Sequence, residues 1–201
     1  MIPRQHLTPE LEALNAKLGS LPDEVLLTFP PPTTRELAIF GAVIQSYNYI
    51  EFNLRRAMSI FSTVGLLSPQ QLKHFPRLAG YKLTQAVKDV ASETYRATGM
   101  DGDAGPHLTA IQQNQPVRNL LAHWAARRVP GEDYFLFFGK DDRDARQALG
   151  KDLEFDVAGK CLMDAKALEG LVEFLAPHER WAAEKTSEWY KRYIEQPKRS
   201  P

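Results

Sequence analysis

The amino-acid sequence predicts an all-α fold, an up-and-down bundle of four to five helices with a small β-hairpin inserted before the last one. Three observations predict it. Apolar residues recur at alternating spacings of three and four over several long stretches, the period of a helix with one buried face. The period changes once, to that of a strand, around Tyr134–Phe138 and Leu153–Val157. A length of 201 residues with 43% hydrophobic and 10% aromatic content is enough for one domain with a real core.

The elements follow in order. Residues 1–32 form an arm punctuated by prolines, with a short helix from about Thr8 to Leu18. The body spans 33–195. It opens on a capping box, in which Thr33 is the cap and Glu36 reaches back to it. Leu37, Phe40, Ile44, Tyr47, Leu54, Met58 and Phe61 then form the buried stripe of a helix about thirty residues long. Ser68-Pro69 opens a short helix, and Leu83, Val87, Val90 and Ala91 mark another. The next helix runs from His107 to Arg128, with a kink or break expected at Pro116. The hairpin occupies about 133–158, with a polar excursion around Asp141–Gly150. Asp164 caps the following helix, and Pro177 marks a kink or a second start in it. Trp181, Trp189 and Tyr190 sit on that last helix as core or as a contact between two copies. Residues 196–201 are a frayed tail.

Charge and cysteine content limit the function classes. Twenty-five Lys+Arg balance twenty-five Asp+Glu. A neutral chain argues against a strongly basic nucleic-acid wrapper and against a membrane-surface protein, while leaving room for one local basic site. The single cysteine, Cys161, excludes an intrachain disulfide and a cysteine-based zinc site. It reads as a small half-buried apolar residue. The longest strongly apolar run, Leu37 to Ile44, falls far short of the ~20 residues that span a bilayer. With no signal core at the N-terminus, the expected location is a reducing cytoplasm.

The most informative string is Asn114-Gln115-Pro116-Val117-Arg118-Asn119-Leu120-Leu121-Ala122-His123-Trp124. Val117, Leu120, Leu121 and Trp124 form the buried stripe. Asn119 and His123, four apart, stack on a neighbouring face. Arg118 lies roughly 140° around the helix from His123, a separation its long side chain can close. Arg118 would also fall in the first turn after Pro116, where free backbone N–H groups and a guanidinium suit an anion. Histidine titrates near neutral pH and can act as general base or acid. Arginine can hold a phosphodiester and stabilise the charge that builds on it. Fourteen arginines make an Arg five places before a His unremarkable by itself. The polar residue directly after the Arg is what makes the string more specific.

Glu51 falls on the buried stripe, where a carboxylate is costly unless paired. Either it meets Arg118 or His123 across the bundle, sharing a pocket with Tyr47 and Asn48, or it turns to solvent while Ile50 covers the gap. Arg55, Arg56, Lys73, Arg77, Lys82, Arg127 and Arg128 either ring an RNA groove or are ordinary solvated cations. His6, His74, His107 and His178 read as scattered surface residues. Asp101-Gly102-Asp103-Ala104-Gly105 faintly resembles a calcium loop, but Pro106 follows and Gln112 stands at the twelfth position, so a polar turn is expected. No constellation of residues calls for a metal.

Arg118-Asn119-Leu120-Leu121-Ala122-His123 resembles the Arg-polar-x3-His signature of HEPN domains. These are all-α bundles, many of them metal-independent ribonucleases of prokaryotic toxin–antitoxin and antiviral systems. The resemblance implies that Arg118 and His123 are the catalytic pair and that Asn119 orients them. It implies attack of a ribose 2′-hydroxyl on the adjacent phosphate, leaving a 2′,3′-cyclic phosphate, with no cofactor. It implies RNA as substrate, a homodimer whose two copies build one composite site, and an antitoxin protein as a further partner. A subset of the family carries Tyr two residues after the His, where this chain has Ala125. Some members bind only a nucleotide or a partner protein, and that is the alternative expectation.

Overall fold

The computed structural model describes residues 8–139 and 160–195. It is mostly helical, with a small antiparallel three-stranded sheet. In chain order the elements are α1 (Pro9–Gly19), α2 (Asp23–Leu27), α3 (Thr34–Thr63), α4 (Pro69–His74), a 3-10 turn (Phe75–Arg77), α5 (Gly80–Thr98) and α6 (Ala104–His123). Strands β1 (Ala125–Arg128), β2 (Tyr134–Phe138) and β3 (Lys160–Asp164) follow, then α7 (Ala165–Tyr190) and a π turn (Lys191–Glu195). Leu153–Val157, the excursion at 141–150 and the tail 196–201 lie outside the described residues.

Most helix starts obey local chemistry. The Thr33 amide donates to the Glu36 carboxylate at 2.7 Å, and the Glu36 amide donates back to the Thr33 hydroxyl at 3.3 Å. Ser68 and Gln71 form the same box at α4. The Asp164 carboxylate accepts from the amides of Lys166 and Ala167 at 2.7 and 3.1 Å, opening α7. Each such cap is worth about 1 kcal/mol.

The chain forms two compact units, Met1–Ile44 with Pro116–Glu173 and Gln45–Gln115 with Phe174–Pro201. In the first, the sheet order is β1-β2-β3 and both pairings are antiparallel. Phe135 and Phe137 leave one face of the central strand β2 and meet Phe40 of α3, with ring centroids 5.1 and 5.8 Å away. Leu136 leaves the other face and joins Leu18, Leu26 and Val129. The N-terminal arm, including the unexpected α2, therefore packs on the sheet. Burying Phe135 and Phe137 contributes roughly 1.5–3 kcal/mol each. Cys161 lies half-buried on the edge strand β3, and burial pushes its thiol up to about 12.

Three expectations are corrected here. The helix predicted to Arg128 ends at His123, because Ala125–Arg128 pairs with β2 from Ala125 opposite Phe138 to Arg128 opposite Phe135. Ala-Ala-Arg-Arg favours a helix by propensity, but an apolar strand buried on both faces needs neighbours on both edges. The hairpin predicted at 133–158 is, among the described residues, β2 with β1 before it and β3 after it. Finally, α6 and α7 run through Pro116 and Pro177 without interruption.

The second unit is helical. Leu83, Val87, Val90 and Ala91 are buried on α5 as the period requires. Trp189 packs against Phe61 and Trp181, with centroids 4.9 and 6.4 Å away. Trp181 and Trp189 are core, while Tyr190 is exposed. Asp101 adopts a left-handed φ of +70° with its carboxylate buried. It accepts from Lys185 at 2.9 Å and from Arg192 at 2.9 Å. The predicted polar turn is thus pinned to the last helix.

No described helix is long and apolar enough to cross a membrane.

Candidate functional site

The candidate site lies at the C-terminal end of α6. Val117, Leu120, Leu121 and Trp124 are buried, as their spacing predicts, and they fix the rotation of the helix. That rotation leaves Arg118 and Asn119 half-buried and His123 exposed. The guanidinium of Arg118 donates from Nη1 to the Asn119 amide oxygen at 3.3 Å, so the polar residue beside the Arg holds it. The local context differs from the expected one. Since α6 does not restart at Pro116, Arg118 lies toward the C-terminal end of a continuous helix rather than in its first turn. The amides around it belong to the intrahelical ladder and are not a ready anion nest. His123 instead ends the helix, one residue before Trp124, whose amide donates to the Leu120 carbonyl at 3.0 Å.

The predicted supporting residues belong to the other unit, on α3. Ile50 holds the fully buried position and Glu51 the half-buried one beside it. The Glu51 carboxylate accepts from Arg55, one turn on, at 2.8 and 3.2 Å. This is the alternative in which Ile50 covers the gap. Tyr47 is buried and donates its hydroxyl to the Ile111 carbonyl at 3.0 Å, and burial raises its pKa. That hydroxyl is committed to the core. Asn48 is exposed on the following position.

Of the arginines named for RNA contact, Arg55, Arg127 and Arg128 are engaged within the fold. Arg127 donates from Nε to the Leu27 carbonyl at 3.0 Å. Arg128 pairs with Asp133 at 2.8 Å and Glu36 at 3.3 Å, and its guanidinium lies 5.1 Å from the Phe135 ring centroid. Arg55 is held by Glu51. Arg127 and Arg128 thus tie elements together, while the Arg55 pair lies within α3.

One grouping escaped the sequence reading. His107 and His178, 71 residues apart, bring their Nδ1 atoms to 2.9 Å. The ring of His107 stacks on Trp181 at 4.8 Å with an interplanar angle of 6°. The Trp181 indole N–H donates to Asp103 at 2.9 Å. Burial lowers the pKa of both imidazoles, and each histidine's neighbours modulate it: His107 lowers His178 further, while Asp103 opposes the effect on His107. Burial would raise Asp103, but hydrogen bonds from Trp181 and Lys185 outweigh it and hold the carboxyl low. Nothing in the spacing of two distant histidines signals such a pair.

Among the described residues no group of three or more His, Cys, Asp and Glu could hold a metal ion. No protein-family model matches the chain, and neither a curated protein nor a solved structure is significantly similar to it.

Proposed function

We propose that the chain is a metal-independent endoribonuclease of the HEPN type, a toxin or antiviral effector that acts as a homodimer in the cytoplasm. The observation that carries this reading is the Arg118–Asn119 contact on a helix whose exposed last residue is His123. A cation steadied by its neighbour and an accessible imidazole suit a phosphodiester. In the reaction His123 takes the proton of a ribose 2′-hydroxyl, whose oxygen attacks the adjacent phosphorus. The bond from phosphorus to the 5′ oxygen breaks, and that oxygen takes a proton from the protonated imidazole, an imidazolium, of His123 in a second copy. The products are a 2′,3′-cyclic phosphate and a 5′-hydroxyl. Arg118 offsets the charge gathering on the phosphate oxygens.

The test is cleavage of RNA in the presence of a chelator. Cleavage with cyclic phosphate ends is expected, with a loss of about 10²–10⁴-fold in His123→Ala, the usual weight of a general base. A similar loss, about 10²–10³-fold, is expected in Arg118→Ala. Light scattering should give the mass of two chains. A variant that folds and still cuts RNA would sink the assignment.

A second reading is a non-catalytic HEPN-like module that binds a nucleotide or a partner protein. The position of Arg118 inside an unbroken helix favours it, because the free amides of a fresh helix start are missing. Nucleotide binding without cleavage would decide for this reading.

A further inference from the structure

The balanced charge of the chain hides an uneven distribution. Between Glu51 and Asp89 there is no acidic residue, while Arg55, Arg56, Lys73, Arg77, Lys82 and Lys88 all fall there. The structure sorts these cations. Arg55 is held by Glu51, Arg56 lies over the Phe52 ring, and Lys88 donates to the Thr109 hydroxyl at 2.7 Å. Lys73, Arg77 and Lys82 are exposed, and among the described residues none of them has an ion-pair partner.

These three sit within ten residues, on α4, the 3-10 turn and the first turn of α5. His74 is exposed among them, and so is Tyr81, at 59%. Several basic side chains elsewhere are matched: Arg35 with Glu169, Arg128 with Glu36 and Asp133, Lys160 with Asp23, Lys185 with Asp101. Three unmatched cations within ten residues of chain, in a stretch that also bares an aromatic ring, are the elements that hold a single-stranded nucleic acid. The cations follow the phosphates, and the ring offers a stacking face to any base. The start of α5 adds to it. Ala79 provides no side-chain cap, and the first intrahelical bond there is donated by Leu83, which leaves the three preceding amides outside the ladder. A membrane-docking helix would instead present an apolar face over several turns, and α4 has only six residues.

We infer that the surface formed by Lys73, Arg77, Tyr81 and Lys82 binds the phosphate backbone of single-stranded RNA. The inference rests on the reading of this chain as an RNA-acting protein. It assigns the docking contacts to a segment other than Arg55, Arg127 and Arg128.

The experiment is fluorescence anisotropy with a labelled 2′-O-methyl oligouridylate, which cannot be cut through its own 2′ oxygen. Three phosphate contacts give a slope of log K against log salt of about −2, or about a 20-fold loss between 50 and 200 mM. The triple variant Lys73→Gln, Arg77→Gln, Lys82→Gln should lose that dependence and bind at least tenfold more weakly in low salt. A control variant, Lys17→Gln, Arg35→Gln, Lys166→Gln, removes the same charge elsewhere and should bind as the native chain does. Circular dichroism checks that both variants fold. Equal binding by native chain and triple variant overturns the inference, as does equal weakening by the control. Preference for phosphatidylserine vesicles over the oligonucleotide overturns it too. Cleavage assays on the same proteins separate the two readings. Patch-dependent binding without any cleavage by the native chain removes the nuclease and keeps the surface. Cleavage with patch-independent binding does the reverse.

Discussion

At the scale of single residues, the side chains with the largest energetic consequences are buried ions rather than the candidate site. Lys185 is 8% exposed and reaches Asp101, Asp103 and Glu188 at 2.9, 3.2 and 3.0 Å. Burial would lower its pKa, but these hydrogen bonds outweigh the effect and raise it. Removing one partner of such a cluster leaves buried charge uncompensated. Lys185→Met is therefore expected to cost about 3–5 kcal/mol, read as a lower urea midpoint at unchanged slope. The His107–His178 pair makes a prediction of opposite character. A bond between two Nδ1 atoms needs one ring to donate and one to accept, which doubly protonated rings cannot do. Both folded pKa values lie below the ordinary 6.5, so in that window the unfolded chain binds more protons. The pair's contribution is fully present above pH 6.5 and is lost as pH falls through the depressed values. A thermal melt series should show Tm dropping on acidification from pH 6.5, with a shallower drop in His178→Gln.

At the scale of elements, Pro116 and Pro177 show where sequence reading stops. A proline removes one ladder bond and pushes on the preceding turn, so each position read as a kink or an interruption, and the interruption is what the structure overturns. Both helices continue because their apolar stripes do, with Val117, Leu120 and Leu121 beyond one proline and Trp181 and Trp189 beyond the other. Tertiary burial outweighs a local penalty of about 3 kcal/mol. Pro116→Ala should restore an amide donor to α6 and raise Tm, by about 2–4 °C for each kcal/mol gained. The capping boxes, strand β2 and the stripe of α3 at Phe40, Tyr47, Leu54, Met58 and Phe61 were legible because their signals are local, whereas Leu37, placed on the same stripe by its spacing, is exposed near the helix start. Strand β1 was not, since Ala-Ala-Arg-Arg carries no strand signal and forms only beside the edge of β2. Strand β3 is the same case, supplied with a partner and not with a pattern. For the candidate site, the burial of Val117, Leu120, Leu121 and Trp124, which sets the rotation of α6, was readable from the stripe. The commitment of Arg127 to the arm and of Arg128 to Glu36 was not, because both depend on contacts distant in sequence.

At the scale of the whole molecule, formal neutrality conceals a division of roles among cations. Some hold the fold together, and others, Lys73, Arg77 and Lys82 among them, stay unmatched. That division separates the cations nominated for RNA into Arg55, Arg127 and Arg128, which are engaged, and Lys73, Arg77 and Lys82, which are not. It also sets the expected salt response: the buried Lys185–Asp101 pair should be little affected by ionic strength, whereas nucleic-acid binding should fall steeply. The lone sulfur on edge strand β3 has a practical consequence. Burial keeps that thiol protonated and slows its alkylation while the strand is in place, and there is no second thiol to confuse the signal. Its labelling rate therefore times how often the sheet comes apart, giving the chain a built-in stopwatch for its own opening.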